Sequence, residues 1–206
     1  AADKTVVLAN YTFTATSIVM EHSEEILKEC CYKVSPGVEH TSIYFPEADL
    51  ANQVKTPVYC FLDTGIKSLT EAYNKIIELE AVDTVVLADG GTDSLMCGDE
   101  KDSEGEPALG TPYEDVSSIV AVQHCCAEDK YLLVLGNNID SYHGVLDEHV
   151  WRNIANLTQQ GYFVGCDTLT VNDESTRQYI DVFNACKPEN SIVNSFVVAA
   201  IKGHYG

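Results

Sequence analysis

The sequence predicts one α/β domain over residues 1–206, built on an open, mostly parallel sheet of about five or six strands with helices on both faces. Short unbroken apolar runs, rich in β-branched residues, alternate along the chain with segments whose apolar residues recur at helical spacing. A strand that is covered on both faces reads as such an unbroken run, which favours parallel pairing. A chain of 206 residues is also long enough for one sizeable core.

Five apolar runs are predicted to be strands, because each is short, β-branched or aromatic in character, and bounded by polar or turn-forming residues. In chain order they cover residues 5–10, 57–62, 83–88, 131–136 and 162–167.

Helices are predicted between these strands. One is expected to begin after Ser23, with Leu27 and the adjacent cysteines at positions 30 and 31 on its apolar face. Another is expected at the capping box formed by Ser68 and Glu71. Three more are predicted from residue 111, over 146–157 and over 172–186, while the type of the apolar segment 191–203 stays open.

The composition excludes some partners. With 32 acidic and 12 basic residues, the net charge of −20 would repel nucleic acids and anionic membranes. No apolar run approaches the roughly 18 residues of a membrane span, and the pattern of the first residues predicts no uncleaved signal peptide among them. The eight cysteines lack metal-binding spacing and favour free thiols in a reducing, cytoplasmic setting, although secretion stays open. The expected partner is a small molecule, and a homo-oligomer is also open.

The stretch LADGGTDSLMCGDE, residues 87–100, follows the third predicted strand and concentrates polar groups there. Carboxyl ends of parallel strands meet at one edge of a sheet, where ligands bind. Asp89, Asp93 and Asp99 are therefore candidate ligands of a divalent cation, and Asp93 is also a candidate acid or base. The glycines at 90 and 91 are expected to turn the backbone sharply, through a positive φ, and to bring it close to a ligand.

Other strand ends add to the predicted site. His143 is a candidate general acid or base that Asp140 orients. The candidate substrate-binding residues are Gly90, Gly91, Thr92, Ser94, Thr111 and Asn10. Simpler structural roles stay open: Asp93 or Ser94 can cap a turn, Thr111 can cap a helix, and His143 can be a surface hydrogen bonder. Asp115, near the start of the same helix as Thr111, is interpreted as a charge that favours the helix dipole.

The sequence lacks the motifs that identify several enzyme classes. The sequence contains no GxSxG, HExxH or P-loop pattern, and ADGGTDSL lacks the spacing of a dinucleotide-binding turn. Cys97 lies among carboxylates, which raise the pKa of a thiol and disfavour a nucleophilic role.

Five segments carry a resemblance to the family called domain of unknown function 1152: VVLANYTFT at 6–14, DTVVLADGGTDSLMCGDE at 83–100, LGTPYEDVSSIVAV at 109–122, GNNIDSYHGV at 136–145 and AAIKGHYG at 199–206. The resemblance covers nearly the whole chain and implies a Rossmann-like α/β fold, but no reaction. Relative to the family, a glycine-rich turn is expected before the first strand and is missing here. The segment 101–108 looks like an insertion.

Two functions fit these observations. The first is an enzyme, a metal-assisted hydrolase or group transferase that acts on a small anionic or hydroxylated substrate at the carboxyl edge of the sheet. The second is a non-catalytic ligand carrier or structural protein that reuses the scaffold. Fold alone does not decide between them. A divalent cation is the candidate cofactor, and the identity of any other cofactor stays open.

Overall fold

The computed structural model describes residues 4–39, 44–107, 113–186 and 191–204, except for the side chain of His143. The chain divides into two compact units. The first comprises Ala1–Val86, Ser117–Tyr131 and Asp181–Asn190, and the second comprises Leu87–Val116, Leu132–Ile180 and Ser191–Gly206. The prediction of a single domain stays a prediction, and each unit is described by itself below.

The main sheet has four strands in the order β1-β4-β3-β2. These are β1 (Leu8–Tyr11), β2 (Glu24–Leu27), β3 (Cys31–Val34) and β4 (Val58–Phe61). The edge strand β1 pairs parallel with β4, whereas β3 pairs antiparallel with both β4 and β2. The α/β class is confirmed, but the prediction of an open, mostly parallel sheet of five or six strands is wrong for the described residues, since this sheet is small and mixed.

A hairpin is the reason for the mixed pairing. Residues 24–34, which the sequence predicts to be a helix after Ser23, form β2 and β3 instead. Glu29 turns the chain with a φ of 57°, and Leu27 O accepts a hydrogen bond from Cys30 N at 3.0 Å. Cys31, Tyr32 and Val34 of β3 are all buried, and because successive side chains of a strand point to opposite faces, both faces of the sheet contribute to this burial.

The core of the first unit lies on both faces of this sheet, because successive side chains of a strand point to opposite sides. Val58 and Cys60 of β4 pack with buried residues of α1 (Thr16–His22) and α2 (Pro46–Val54). Tyr59 and Phe61 pack on the other face with α3 (Ile66–Glu80). Helices therefore cover both faces, as predicted, and β4 is buried along its whole length.

A second, two-stranded sheet joins β5 (Thr84–Asp89) to β6 (Asp129–Val134). Asp83 O accepts from Asp129 N, and Asp89 O accepts from Leu135 N at 2.9 Å. Both strands therefore run in the same direction. The predicted strand at 162–167 is wrong: these residues form no regular element, and Val164 is 83% exposed. A β-prone run becomes a strand only where a neighbouring strand supplies hydrogen bonds and packing.

The remaining helices are α4 (Tyr113–Gln123), α5 (Asp147–Gln159), α6 (Glu174–Ala185) and α7 (Ile192–Ile201). The predictions of α3 to α6 are confirmed, and the open segment near the C-terminus is α7. The capping box is wrong, because α3 already begins at Ile66 with Gly65 as its N-cap, which places Ser68 and Glu71 inside the helix. The sequence predictions did not include α1 and α2.

All eight cysteines carry free thiols. Burial raises the pKa of the Cys31 thiol to about 12, so this thiol is inert at neutral pH. Within the described residues, no helix combines the length and the apolar character that crossing a membrane requires.

Candidate functional site

Three carboxylates converge at the carboxyl end of β5, all within the second unit. Asp89 is the last residue of β5, Asp93 begins the single-turn 3-10 helix Asp93–Leu95, and Asp115 lies in the first turn of α4. One oxygen from each carboxylate lies within 4.8 Å of the other two. We call this group the aspartate trio. Its members come from three different elements, so the fold itself assembles it.

Local hydrogen bonds hold the first two members in place. The Ser94 hydroxyl donates to Asp89 Oδ2, and Leu135 N donates to Asp89 O, which fixes the end of β5 beside β6. Asp93 is buried, with 6% of its surface exposed. The short helix that Asp93 begins is closed by a hydrogen bond from Met96 N to Asp93 O at 2.9 Å. The backbone of the loop is thus set before any ligand binds.

Asp140 supports the same loop from a second short helix, Ile139–His143. Its Oδ2 accepts a hydrogen bond from Thr92 N at 2.5 Å and lies 3.3 Å from Thr92 Oγ1. A Cβ at Gly91 would lie 2.6 Å from the same oxygen, so a larger residue there would push the Asp140 carboxylate away. The predicted positive φ at residues 90 and 91 is wrong. The backbone approaches a carboxylate of its own chain there, and the missing Cβ permits it.

The charges of the trio act on one another. The pKa of Asp115 is raised to about 7, first by burial and then by the charges of Asp89 and Asp93. The pKa of Asp89 is also raised, first by burial and then by Asp93 and Asp140, although the hydrogen bond from Ser94 opposes the shift. With a pKa of about 7, Asp115 can hold a proton near neutral pH, or exchange it for a metal cation.

The donor set fits a hard divalent cation. Carboxylate oxygens are the preferred protein ligands of Mg²⁺, Ca²⁺ and Mn²⁺. The trio offers three such oxygens close together at a strand end, where α/β sheets place their ligands.

The other sequence-predicted site residues lie as follows. Asp99 is not part of the trio: its side chain is 79% exposed and lies 3.3 Å from Arg152 Nη2. Asn10 belongs to the first unit, where its amide donates to Glu47 Oε1 at 2.6 Å. Thr111 and the side chain of His143 lie outside the described residues. The helix Ile139–His143 brings Asp140, the predicted partner of His143, to the loop of the trio.

Sequence reasoning missed the third member of the trio. It assigned Asp115 to the helix dipole, which is an ordinary role for a carboxylate in a first helical turn. The signal that points to it is the order of elements. In a strand-loop-helix unit the start of the helix returns to the end of the strand, where Asp89 already lies.

Glu100, at the end of the same acidic stretch, has a structural role. Its side chain is 1% exposed and accepts hydrogen bonds from Cys97 N and Gly98 N, both at 2.8 Å, and from Asn153 Nδ2 at 2.7 Å. Burial raises the pKa of this carboxyl, but the hydrogen bonds outweigh it and lower the pKa to about 2. Glu100 is therefore an ionised anchor that ties the acidic loop to α5.

The comparisons with known proteins identify a family. A family model described as "Protein of unknown function (DUF1152)" matches residues 13–206. No curated protein and no solved structure matches the chain. The match agrees with the resemblance seen in the sequence and brings no reaction with it.

Proposed function

The chain belongs to the DUF1152 family, and we propose that it is a metal-assisted hydrolase or group transferase whose divalent cation is held by Asp89, Asp93 and Asp115. The substrate class is the one that the sequence favours, a small anionic or hydroxylated molecule. The observation that carries the proposal is the convergence of three carboxylate oxygens within 4.8 Å at the end of β5. The proposal replaces the exposed Asp99 of the sequence-based ligand set with Asp115.

The electrostatic argument favours a cation. Three ionised carboxylates this close repel one another, and partial burial weakens the screening by water. The repulsion is relieved if Asp115 takes up a proton, in keeping with its pKa of about 7, or if a cation binds. A divalent cation neutralises more charge than a proton does and uses oxygens from all three elements at once.

The chemistry follows from such a cation. A bound Mg²⁺ or Mn²⁺ polarises a substrate oxygen and lowers the pKa of a bound water, which supplies a nucleophile at neutral pH. The Gly90–Gly91 backbone and the hydroxyls of Thr92 and Ser94 lie in the loop beside the trio and are the proposed substrate contacts. Asp140 positions that loop through Thr92 N. His143 stays the proposed acid or base.

Cation binding is the direct test. Isothermal titration with Mn²⁺, Mg²⁺ and Ca²⁺ is expected to show one site on the wild-type chain and at least about tenfold weaker binding in Asp93→Asn and Asp115→Asn, since each loses a charged ligand. Asp99→Asn is the matched control, because it removes one nearby but exposed charge outside the trio. A wild-type chain that binds none of the three ions, or equal losses in Asp99→Asn and Asp93→Asn, would overturn the metal site.

The reaction class has its own test. Hydrolysis of p-nitrophenyl phosphate and p-nitrophenyl acetate is measured with Mn²⁺ and with chelator. The proposal expects cation-dependent turnover that Asp93→Asn removes and Asp99→Asn retains. Turnover that is unaffected by chelator and by Asp93→Asn would contradict it.

The alternative function is a non-catalytic carrier or structural protein. It is favoured by the use of two of the loop's donors within the chain itself, since Thr92 N bonds to Asp140 and the Ser94 hydroxyl bonds to Asp89. A carrier is expected to retain a bound molecule through purification. Native mass spectrometry of the chain, compared with its mass after denaturation, distinguishes this alternative from a metal-dependent enzyme.

A further inference from the structure

A hollow of about 450 Å³ lies in the second unit beside the helix that carries Asp140. Ser141 and Tyr142 of that helix line one side, and Asp102, Ser103 and Glu104 line another. We call it the Tyr142 hollow. We propose that it binds a neutral polyhydroxylated molecule, of the size of a monosaccharide, through the Tyr142 ring and the surrounding carboxylates and hydroxyls.

The exposed aromatic ring is the first argument. Tyr142 is 93% exposed, although a tyrosine ring is a large apolar surface that proteins usually bury at least in part. Here it forms part of the wall of a hollow that is mostly polar but also includes Pro107 and Leu146. The C–H face of a sugar ring can cover such a surface while its hydroxyls reach the polar groups around it.

The residues that line the hollow favour a hydroxylated substrate over an anionic one, the two classes of the proposed function. Asp102 and Glu104 bring negative charge, and no lysine or arginine is among the described residues that line the hollow. An anionic ligand would be repelled there. The hydroxyls of Ser103 and Ser141 can both donate and accept hydrogen bonds, and carboxylates accept them. This combination matches a ligand whose hydroxyl groups do the same.

The wall is also held in place before a ligand binds. Asp102 Oδ1 accepts hydrogen bonds from Glu104 N at 2.8 Å and Glu106 N at 3.0 Å, and Asp102 N donates to Glu106 O. These bonds close the turn that carries Ser103 and Glu104, and they take up one carboxylate oxygen of Asp102. A site whose backbone is fixed in this way loses less conformational entropy on binding.

The hollow is linked to the trio by chain connectivity. Asp140, whose carboxylate supports the loop of the trio, is followed directly by Ser141 and Tyr142 in the same short helix. The assignment of the hollow as the place that presents substrate to the trio rests on the proposed function. Binding of a polyol to the hollow does not.

The test is saturation-transfer difference NMR with metal-free protein. The neutral probes are methyl β-glucoside, methyl β-galactoside and myo-inositol, and the charged probes are glycerol phosphate, an anionic phosphate monoester, and ethanolamine, a cation. We expect at least one neutral probe to bind and glycerol phosphate not to bind. Tyr142→Ala should weaken the neutral probe about fivefold or more, since it removes the aromatic face. Tyr162→Ala is the matched control, an exposed tyrosine of the same unit outside the hollow.

The outcomes separate the two proposals. Both the hollow and the trio are supported if Tyr142→Ala loses polyol binding and retains Mn²⁺ binding, while Asp93→Asn loses Mn²⁺ binding and retains polyol binding. If Mn²⁺ binds to the wild-type chain but no neutral probe does, the hollow proposal is wrong and the metal site stands. Binding of ethanolamine alone, or equal binding of the neutral probe to Tyr142→Ala and wild type, also overturns the hollow proposal.

Discussion

Asp140 Oδ2 accepts a hydrogen bond from the backbone N–H of Thr92 at 2.5 Å, across 48 positions of the chain. The contact joins the loop after β5 to the short helix after β6. It depends on the absence of a side chain at the preceding residue, because a Cβ at Gly91 would lie 2.6 Å from the same oxygen. The geometry of the acidic loop therefore depends on one glycine and one carboxylate.

Gly91→Ala is expected to displace Asp140 and to lower the free energy of unfolding by about 1 to 3 kcal/mol, since Thr92 N–H loses its acceptor. Urea denaturation measures this change. Gly165→Ala is the control, because a Cβ at Gly165 meets no atom within 4 Å and its φ is not positive. In an Asp140→Ala background the cost of Gly91→Ala should largely disappear, and an equal cost in both backgrounds would place the clash elsewhere.

The stability of the chain should depend on pH through Asp115. Its pKa of about 7 in the folded protein lies above the ordinary value of 3.8, so the folded state holds more protons than the unfolded state between these values. The free energy of unfolding contributed by Asp115 is therefore greatest below about pH 4 and declines as the pH rises to about 7. The ionised form is the one that burial and the neighbouring carboxylates disfavour.

Asp115→Asn should remove this dependence. In metal-free buffer we expect the variant to be more stable than wild type at pH 8, on the order of 1 to 2 kcal/mol after allowance for solvent screening, and to have no advantage near pH 3.5. Denaturation curves across this pH range measure it, with Glu114→Gln as the neighbouring control. At pH 8 in saturating Mn²⁺, wild type should instead be more stable than Asp115→Asn. Parallel pH profiles for wild type and Asp115→Asn would contradict the assignment.

Part of the fold could be predicted from the sequence because local pattern and final burial agree there. The run at β4 is continuously apolar and the strand is buried on both faces, and the helical spacing of Leu69, Ile76 and Ile77 matches the buried side of α3. The hairpin could not be predicted in this way. Leu27, Cys30 and Cys31 recur at helical spacing, and the turn between β2 and β3 places Glu29, a residue without turn preference, at a positive φ.

The candidate site was predictable to the extent that its members are neighbours in sequence. Asp89 and Asp93 lie in one loop, and the glycines between them mark it as unusual. Asp115 is separated from them by a long polar segment, and a carboxylate at a helix start already has an ordinary explanation. Asp99 shares the loop with Asp93, yet its side chain points to solvent and Arg152. Sequence proximity alone cannot distinguish the two.

Glu100→Gln is expected to lower the free energy of unfolding by about 2 to 3 kcal/mol at pH 7, since it replaces a buried carboxylate that accepts several hydrogen bonds, two of them from backbone amides. The pKa of Glu100 is lowered from 4.5 to about 2, so its contribution is present above pH 4.5 and is lost as the pH falls toward 2. The difference between variant and wild type should therefore shrink over that range. Urea denaturation at pH 7 and pH 3 measures it.

Asp99→Asn, on the exposed neighbour of Glu100, should change stability by less than about 0.5 kcal/mol. A cost for Glu100→Gln that is equally large at pH 7 and at pH 3 would show that packing, and not the charge of the carboxylate, stabilises this anchor.

Asn10, in the first unit, has either a structural or a substrate-binding role, and substituting it distinguishes the two. Its amide donates to Glu47 Oε1 at 2.6 Å, and the Thr14 hydroxyl donates to Glu47 Oε2 at 3.0 Å. Glu47 is buried in α2, so these bonds satisfy a carboxylate that water does not reach. Asn10→Ala is expected to lower the free energy of unfolding by about 1 to 3 kcal/mol, because it leaves one carboxylate oxygen without this donor.

Cation and polyol binding should be unchanged in Asn10→Ala, since its amide is engaged within the first unit. Asn184→Ala, at an exposed position of α6, is the control for stability. Urea denaturation and the Mn²⁺ titration together decide the role. If Asn10→Ala keeps full stability and loses ligand, the residue binds substrate, as the sequence predicts. If it loses stability and keeps ligand, the hydrogen bond to Glu47 is its function.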